Sequence, residues 1–271
     1  MEKRPVLFLD SGIGGIPYCR YFHQCNPGEN IVYLADRLNF PYGAWKKEEL
    51  AAAIIRLMEN VIKTINPKIV VIACNTATLA ALAPLREHFP AFIFVGTVPA
   101  IKPASLASKT GKIGVLATEL TIKEPYIKEL AAQYGNSEIT GIAAPELVKF
   151  VEEQLDSASP EAMKKIVHNY LNQFRAAGVD AIVLGCTHFL FLEEDFRQEA
   201  APDITVFESV EGISRRIESL LAGAFPREEA ISESSACSEN RLLLTGTAVP
   251  DPSWTNWAHR LGFNLSLLEE V

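Results

Sequence analysis

Residues 69–77 read IVVIACNTA, and residues 181–189 read AIVLGCTHF. Each stretch is a run of four aliphatic residues followed by a small residue, a cysteine and a polar turn. A continuous aliphatic run, rather than an alternating one, is typical of a strand that is buried on both faces, as in a parallel sheet. The two stretches therefore predict two buried strands, each with a cysteine at its end.

Short aliphatic runs of this kind alternate with longer amphipathic segments along most of the chain. The predicted strands are Val6–Leu9, Ile31–Leu34, Ile69–Ala73, Phe92–Val95, Ile113–Ala117, Ile139–Ala143, Ala181–Gly185, Ile204–Phe207 and Leu242–Leu244. The predicted helices include Lys46–Ile65, Thr76–His88, Ile122–Gln133, Pro160–Ala177 and Val210–Ala222. Alternation of strands and helices predicts an α/β fold with mainly parallel sheets covered by helices.

These strands are expected to form two sheets rather than one. The segment Thr97–Pro99 lies between the two cysteine stretches and is expected to cross from one domain to the other, with a return near residues 209–212. The expected fold is two pseudo-symmetric domains, each a mainly parallel sheet flanked by helices, with the active site in the cleft between them. The expected boundaries are residues 1–98 with 211–271 for the first domain (Asp10, Cys74) and 99–210 for the second (Cys186, His188).

Composition excludes several classes of protein. The net charge is −8, and the chain has no long basic stretch, so no nucleic-acid partner is predicted. No stretch approaches the roughly 20 apolar residues of a membrane span. The apolar run Val6–Leu9 is too short for a signal-peptide core and ends at Asp10. We therefore expect a cytoplasmic protein without a membrane partner.

The cysteines do not indicate a disulfide framework or a metal site. They are odd in number, widely spaced and accompanied by no export signal. No CxxC pair occurs, and Cys186 and His188 are too close in sequence for the usual zinc spacings. The thiols are therefore either structural or reactive. The five are Cys19, Cys25, Cys74, Cys186 and Cys237, the last in a Ser- and Glu-rich stretch, residues 225–240, that is expected to be an exposed loop.

Ligands of parallel sheets bind beyond the carboxyl ends of the strands. Polar residues follow four of the predicted strands at that end: Asp10-Ser11, Cys74-Asn75-Thr76, Thr118 with Thr121, and Cys186-Thr187-His188. The glycines after Asp10 permit a tight turn, but GIGGIP lacks the third glycine of a dinucleotide fingerprint. Taken alone, that stretch is better explained as a strand-to-helix turn capped by Asp10.

Both strand-end cysteines precede predicted helices, whose N-termini favour thiolate over thiol. A single buried cysteine is usually a small core residue, but two at equivalent strand ends weaken that interpretation. His188 is placed to exchange a proton with Cys186 or with a substrate. The remaining histidines are expected to be structural or on the surface: His23, His88, His168 and His259.

Two kinds of chemistry fit these residues. A Cys–His pair can serve nucleophilic catalysis, as in a hydrolase, but the second cysteine would then have no role. Two cysteines on opposite sides of one carbon suit two-base proton transfer, in which one thiolate removes a proton and the opposing thiol delivers one. That reaction inverts a stereocentre, and the paired cysteines favour it.

In combination, the motifs resemble those of the glutamate racemase family. DSGIGG at 10–15, PYG at 41–43, ACNTAT at 73–78, Gly96 with Pro99-Ala100, IGVLAT at 113–118 and GCTH at 185–188 follow the pattern of that family in order. The resemblance implies interconversion of L- and D-glutamate without a cofactor or metal, supplying D-glutamate for peptidoglycan. It also implies two α/β domains with the active site between them, and a homodimer.

The resemblance further implies residue roles. Cys74 would handle the proton on the D-glutamate side with help from Asp10, and Cys186 the proton on the L-glutamate side with help from His188. An acidic residue is expected from the segment that ends at Glu152, which we assign to the site with Glu153 as the alternative. The implied substrate-binding residues are Ser11, Pro41, Tyr42, Gly43, Asn75, Thr76, Thr118, Thr121 and Thr187.

The sequence departs from the family pattern in three places. GCTHFLF lacks the proline that commonly follows, Leu120 stands where glycine is usual, and FES at 207–209 replaces the common DS pair. The first is expected to alter the start of a helix, and the second the loop that carries Thr121. Two alternatives stay open: a racemase for aspartate or another small acid, and a non-catalytic amino-acid-binding module that regulates a partner.

Overall fold

The computed structural model describes residues 3–135, 137–225, 239–246 and 250–268. The chain divides into two compact units, residues 1–97 with 210–271 and residues 98–209. Cys237 and most of the predicted exposed loop lie outside the described residues. Within the described ranges, no helix has the length and apolar character needed to cross a membrane.

Strands and helices alternate along the described chain. The strands are β1 (Val6–Asp10), β2 (Ile31–Ala35), β3 (Ile69–Ile72), β4 (Ile93–Gly96), β5 (Lys112–Ala117), β6 (Glu138–Ala143), β7 (Ala181–Leu184), β8 (Thr205–Phe207), β9 (Arg241–Leu244) and β10 (Asn264–Leu267). The helices are α1 (Ile16–Cys25), α2 (Lys47–Thr64), α3 (Asn75–His88), α4 (Ile101–Ala107), α5 (Glu119–Lys123), α6 (Pro125–Gln133), α7 (Pro145–Gln154), α8 (Pro160–Ala176), α9 (Glu193–Ala200), α10 (Val210–Ala224) and α11 (Pro252–Leu261).

The described strands form one parallel sheet in each unit. The first unit has a six-stranded sheet in the order β10-β9-β2-β1-β3-β4, and the second a four-stranded sheet in the order β6-β5-β7-β8. All pairings are parallel. Every residue of β1, β2, β3 and β7 is buried, as continuous aliphatic strands require. The predicted α/β class with parallel sheets is confirmed.

Two local predictions need correction. The predicted helix Ile122–Gln133 is divided into α5 and α6, because Pro125 cannot continue a helix and instead starts α6. The strand β10 was not predicted, because it lies at the edge of its sheet and has no continuous apolar run, with only Leu265 partly shielded from solvent.

In each sheet, the second and third strands of the chain lie on opposite sides of the first, and we call this place the reversal point of the sheet. In the first sheet, β2 lies on one side of β1 and β3 on the other; in the second, β6 and β7 flank β5 in the same way. Leu9 pairs with Ile72, and Leu116 pairs with Leu184. The residues that follow these pairs are therefore neighbours at the carboxyl edge, and such reversal points are where open parallel sheets bind ligands.

Helix α2 shows how the core fixes the first reversal point. Its inward face carries Leu50, Ile54, Met58 and Val61 at helical spacing, and all four are buried. Burial of each such side chain contributes about 1.5–3 kcal/mol. The same apolar cluster includes α3 residues and Cys74, so this packing holds the start of α3 in place.

Gly15 lies where the loop after β1 passes the end of β3. A Cβ at this position would lie 2.8 Å from the Cβ and 2.9 Å from the carbonyl oxygen of Ala73. Backbone atoms cannot move aside as a flexible side chain can, so we expect Gly15→Ala to lower the free energy of unfolding by about 1–3 kcal/mol. Urea unfolding followed by tryptophan fluorescence measures this, because Trp45, Trp254 and Trp257 all belong to the first unit.

Gly223→Ala is the matched control for this prediction. A Cβ added at Gly223, within α10, meets no described atom within 4 Å apart from the neighbouring backbone of its own helix. Alanine also favours a helix over glycine by up to about 1 kcal/mol, so this variant should be as stable as the wild type or more so. Equal stability of the wild type and Gly15→Ala would contradict a tight contact between the loop and Ala73.

Candidate active site

The carboxylate of Asp10 closes the loop that follows β1. Its Oδ1 accepts a hydrogen bond from the N–H of Gly12 at 2.9 Å and lies 3.4 Å from Oγ of Ser11. On the other side, the hydroxyl of Tyr33 on β2 donates to the carbonyl of Gly12 at 2.7 Å. Asp10 and Tyr33 are fully buried. Asp10 therefore caps this loop, whereas the N-cap of α1 is Gly15, without a side-chain bond.

Cys74 is the N-cap residue of α3. Its backbone is extended (φ −145°, ψ 123°), and its carbonyl accepts the N–H of Thr78 at 2.8 Å. Asn75 and Thr76 form the first turn of the helix and are buried. The thiol therefore stands at a helix N-terminus, next to the end of β1, where the helix dipole favours the thiolate.

The Pro41–Gly43 turn lies close to this loop. The Phe40–Pro41 peptide bond is cis, and Tyr42 is buried while Pro41 and Gly43 are exposed. Burial raises the pKa of Tyr42 well above its ordinary value, and the charges of Asp36, Cys74 and Asp10 raise it further. Tyr42 therefore keeps its proton at neutral pH, and its hydroxyl lies within the electrostatic reach of the two predicted catalytic groups of this unit.

The second unit places Cys186, His188 and Glu152 in one hydrogen-bonded row. Cys186 is the N-cap of the 3₁₀ turn Thr187–Leu192 that follows β7. Its Sγ lies 3.8 Å from Nδ1 of His188, and Nε2 of His188 lies 2.8 Å from Oε1 of Glu152 on α7. All three side chains are buried. The imidazole therefore joins the thiol to a carboxylate.

The surroundings of His188 favour its protonated form. Burial alone lowers the pKa of the imidazole, but hydrogen bonds and charges from Cys186 and Glu152 outweigh burial and raise the pKa well above its ordinary value. Of the two acidic residues considered for this site, Glu152 contacts His188. The side chain of Glu153 is 57% exposed and lies 3.9 Å from Lys149.

Thr118 and Thr121 meet at the end of β5. Thr118 is the N-cap of α5, and its hydroxyl lies 3.0 Å from the hydroxyl of Thr121 and 3.4 Å from its N–H. Leu120 occupies the second position of α5 without breaking this contact. At the neighbouring strand end, Thr187 is buried beside Cys186. The predicted polar residues that directly follow β1, β3, β5 and β7 therefore lie at the reversal point of their own sheet.

The sequence did not single out Tyr33, Asp36 or Thr245. Asp36 follows β2 directly, so the same strand-end rule that found Asp10 could have found it. Tyr33 lies inside a strand, where an aromatic residue looks like ordinary core. Across residues 3–135, 137–225, 239–246 and 250–268, no group of three or more His, Cys, Asp or Glu side chains is arranged to hold a metal ion.

Comparison with known proteins supports the family resemblance that the motifs indicated. The Asp/Glu/hydantoin racemase family model matches residues 20–214. A glutamate racemase of Bartonella henselae is 38% identical over 224 residues, which are 82% of this chain and 83% of that protein. A glutamate racemase of Bartonella tribocorum is 36% identical over 100% of this chain and 98% of that protein.

A solved structure has a similar fold. The Escherichia coli glutamate racemase, in complex with L-glutamate and the activator UDP-MurNAc-ala, is 29% identical with a TM-score of 0.83, and the alignment covers 99% of each chain. The resemblance inferred from the motifs is thereby confirmed. The chain belongs to the Asp/Glu/hydantoin racemase family and is an amino-acid racemase.

Proposed function

We propose that this protein interconverts L- and D-glutamate by two-base proton transfer between Cys74 and Cys186, without a cofactor. The observation that carries the proposal is the repeated arrangement in the two units. Each unit has a buried cysteine at the reversal point of a parallel sheet, at the start of a helix or turn. The relatives described above are named as glutamate racemases, which supports glutamate as the substrate.

In the proposed reaction, the Cys186 thiolate removes the α-proton of L-glutamate and becomes a thiol. The electron pair of the broken C–H bond stays on the α-carbon and spreads onto the α-carboxylate. The Cys74 thiol then donates its proton to the opposite face, which gives D-glutamate and a Cys74 thiolate. The reverse direction exchanges the two roles. The proposal requires both thiols to reach the same α-carbon.

His188 and Asp10 would adjust the protonation of the two thiols. The raised pKa of His188 keeps a proton 3.8 Å from Sγ of Cys186, where it can stabilise the thiolate or return a proton to it. In the first unit, the proposed helper of Cys74 is the carboxylate of Asp10, buried beside the end of β3. Glu152 would hold the His188 ring in place through its bond to Nε2.

The carbanion needs stabilisation that pyridoxal phosphate would supply in other racemases. Here we propose that hydrogen-bond donors aimed at the α-carboxylate supply it, since charge develops there in the transition state. Suitable donors stand at both strand-end clusters: the hydroxyls of Ser11, Thr76, Thr118, Thr121 and Thr187, and the amide of Asn75. A role in peptidoglycan supply, the cytoplasmic location and the homodimer stay predictions.

The test is incubation of the purified protein with L-glutamate in D₂O without added cofactor. We expect D-glutamate that carries deuterium at Cα, detected by chiral chromatography with mass spectrometry. Each inversion must take the new proton from an exchangeable thiol, so the label should approach one deuterium per product molecule. Absence of racemisation under these conditions would refute the proposal.

Two parallel measurements separate the alternatives. Turnover of L-aspartate faster than that of L-glutamate would identify the protein as a racemase for the shorter acid, a substrate that the family model also names. Calorimetric binding of glutamate without isotope exchange would instead indicate an amino-acid-binding module.

A further inference from the structure

Asp36 is a buried carboxylate to which neither the sequence motifs nor the proposed reaction assigns a role. It follows β2 at the carboxyl edge of the first sheet and is fully buried. Its backbone N–H donates to the carbonyl of Asp10 at 2.8 Å, which continues the pairing of β1 with β2. Asp36 is therefore tied directly to the loop that carries Asp10.

The side chain of Asp36 accepts hydrogen bonds from three donors. Oδ2 accepts the hydroxyl of Tyr42 at 2.8 Å and the side-chain amide of Asn39 at 2.7 Å. Oδ1 accepts the hydroxyl of Thr245 at 2.8 Å, and Thr245 itself accepts the N–H of Leu38 at 3.0 Å. The carboxylate thus joins the end of β9 to the segment that leads into the Pro41–Gly43 turn.

This arrangement restricts what the Tyr42 side chain can do. A phenol has one proton, and Tyr42 donates that proton to Asp36. Its oxygen can then only accept hydrogen bonds, so it cannot also donate to a substrate carboxylate. The contribution of Tyr42 to the site must come through its position, and through the turn that its buried ring holds in place.

We propose that Asp36 is a positioning residue for the proposed glutamate reaction. It fixes Tyr42, and with it the Pro41–Gly43 turn, next to the Asp10 loop. The three donors that Asp36 holds all belong to the protein, so its proposed effect on the substrate is indirect. The inference rests on the proposed function for its kinetic consequence, but the positioning of the turn itself can be observed without turnover.

The position of Asp36 makes substitution practicable. Asp36 lines a cavity of about 350 Å³ together with Leu38, Arg56 and Thr245. A change of Asp36 to asparagine therefore alters hydrogen bonding at the border of a cavity rather than packing inside an apolar core. Asparagine has the same shape but offers a single acceptor oxygen, so it cannot hold all three donors.

The kinetic test is a double-mutant cycle of Asp36→Asn and Tyr42→Phe. We expect each single variant to lower kcat/KM for glutamate about tenfold, because a displaced turn misplaces the substrate. The double variant should lose about as much as Tyr42→Phe alone, since Asp36 is proposed to act on the turn through the Tyr42 hydroxyl, which Tyr42→Phe already removes. The pH dependence of kcat/KM should keep its wild-type shape, because Asp36 transfers no proton.

Asp180→Asn is the matched control in the second unit. The carboxylate of Asp180 also holds three donors, Oγ of Ser108 at 2.5 Å and the N–H groups of Lys109 and Thr110 at 2.7 Å and 3.0 Å. It precedes β7, at the end of the sheet opposite to Cys186. This variant removes the same kind of carboxylate but should leave kcat/KM unchanged.

Hydrogen exchange tests the same inference without a measurement of enzyme activity. Amides in residues 37–45 should exchange roughly tenfold faster in Asp36→Asn than in the wild type, and no faster in Asp180→Asn. If the wild type does not racemise glutamate, the proposed function fails, and the exchange data still decide the positioning role. A loss of kcat/KM of about a hundredfold in the double variant would mean that the two substitutions act independently, and it would overturn the inference. Unchanged exchange in residues 37–45 would overturn it as well. Should Asp36→Asn not fold, Thr245→Val replaces it in the cycle.

Discussion

Replacing Cys74 with serine should abolish racemisation but leave exchange of the α-proton of L-glutamate with solvent. In the proposed reaction, Cys186 alone removes that proton, and it can return a deuteron to the same face. Cys186→Ser should show the opposite result, with exchange of D-glutamate alone. A serine hydroxyl is a far weaker acid than a thiol, so we expect turnover to fall at least roughly a thousandfold in each variant.

Proton NMR in D₂O follows loss of the α-proton signal, and chiral chromatography follows inversion in the same samples. Cys25→Ser is the matched control, because Cys25 is an exposed thiol at the end of α1. It should racemise as the wild type does. Near-normal racemisation in Cys74→Ser or Cys186→Ser, or retained exchange of the same enantiomer in both, would contradict the assignment of one thiol to each face.

The sequence could predict the sheets because their central strands are continuous aliphatic runs. A run such as Ile69–Ile72 fits a strand buried on both faces, and nothing in the chain competes with that assignment. Edge strands carry a weaker signal. In β10, Asn264, Ser266 and Leu267 are exposed, so the strand needs no apolar pattern and the sequence does not reveal it.

The strand-end rule predicted Asp10, Cys74, Thr118 and Cys186 as candidates because a parallel sheet brings its carboxyl ends to one edge. Pairwise contacts inside the site could not be predicted in this way. Glu152 lies on α7 and reaches His188 across 36 positions of sequence, and no spacing rule links them. The family resemblance supplied that candidate, and the side-chain geometry separates it from Glu153.

The two units surround their cysteines with different acids and bases. In the first unit, the candidate partner is a carboxylate held by a glycine amide. In the second, it is an imidazole between a thiol and a carboxylate. The ordinary pKa of histidine lies close to neutral pH, and the raised pKa of His188 moves its change of charge above that range. The charge of the Cys186 cluster is therefore expected to depend on the pairing of His188 with Glu152.

Glu152→Gln should lower the pKa of His188 and destabilise the second unit below neutral pH. A raised pKa means that the folded protein binds the proton more tightly than the unfolded chain does. The stabilisation is therefore fully present below the ordinary pKa of about 6.5, and it is lost as the pH rises through the higher pKa of the folded state. Loss of a buried hydrogen bond to a charged group weakens stability by about 2 kcal/mol.

Two measurements test this prediction. Titration of the ring protons of His188 by NMR should give a lower pKa in Glu152→Gln than in the wild type. Because the three tryptophans lie in the first unit, stability of the second is followed by native-state hydrogen exchange of amides in β7. At about pH 6, local opening should be roughly 30-fold more frequent in the variant, and the difference should shrink at alkaline pH.

Glu153→Gln, one position further along α7, is the control that distinguishes the contact between Glu152 and His188 from a general effect of negative charge. It removes the same negative charge, but the side chain of Glu153 is 57% exposed and lies 3.9 Å from Lys149. Exposed pairs of this kind contribute about 1 kcal/mol or less, so both the His188 pKa and β7 exchange should stay near wild type. Equal shifts in the two variants would mean that His188 responds to the net charge of α7, and not to its bond with Glu152. A shift in Glu152→Gln alone would assign the raised pKa to the contact with Glu152, since both substitutions remove one negative charge from α7.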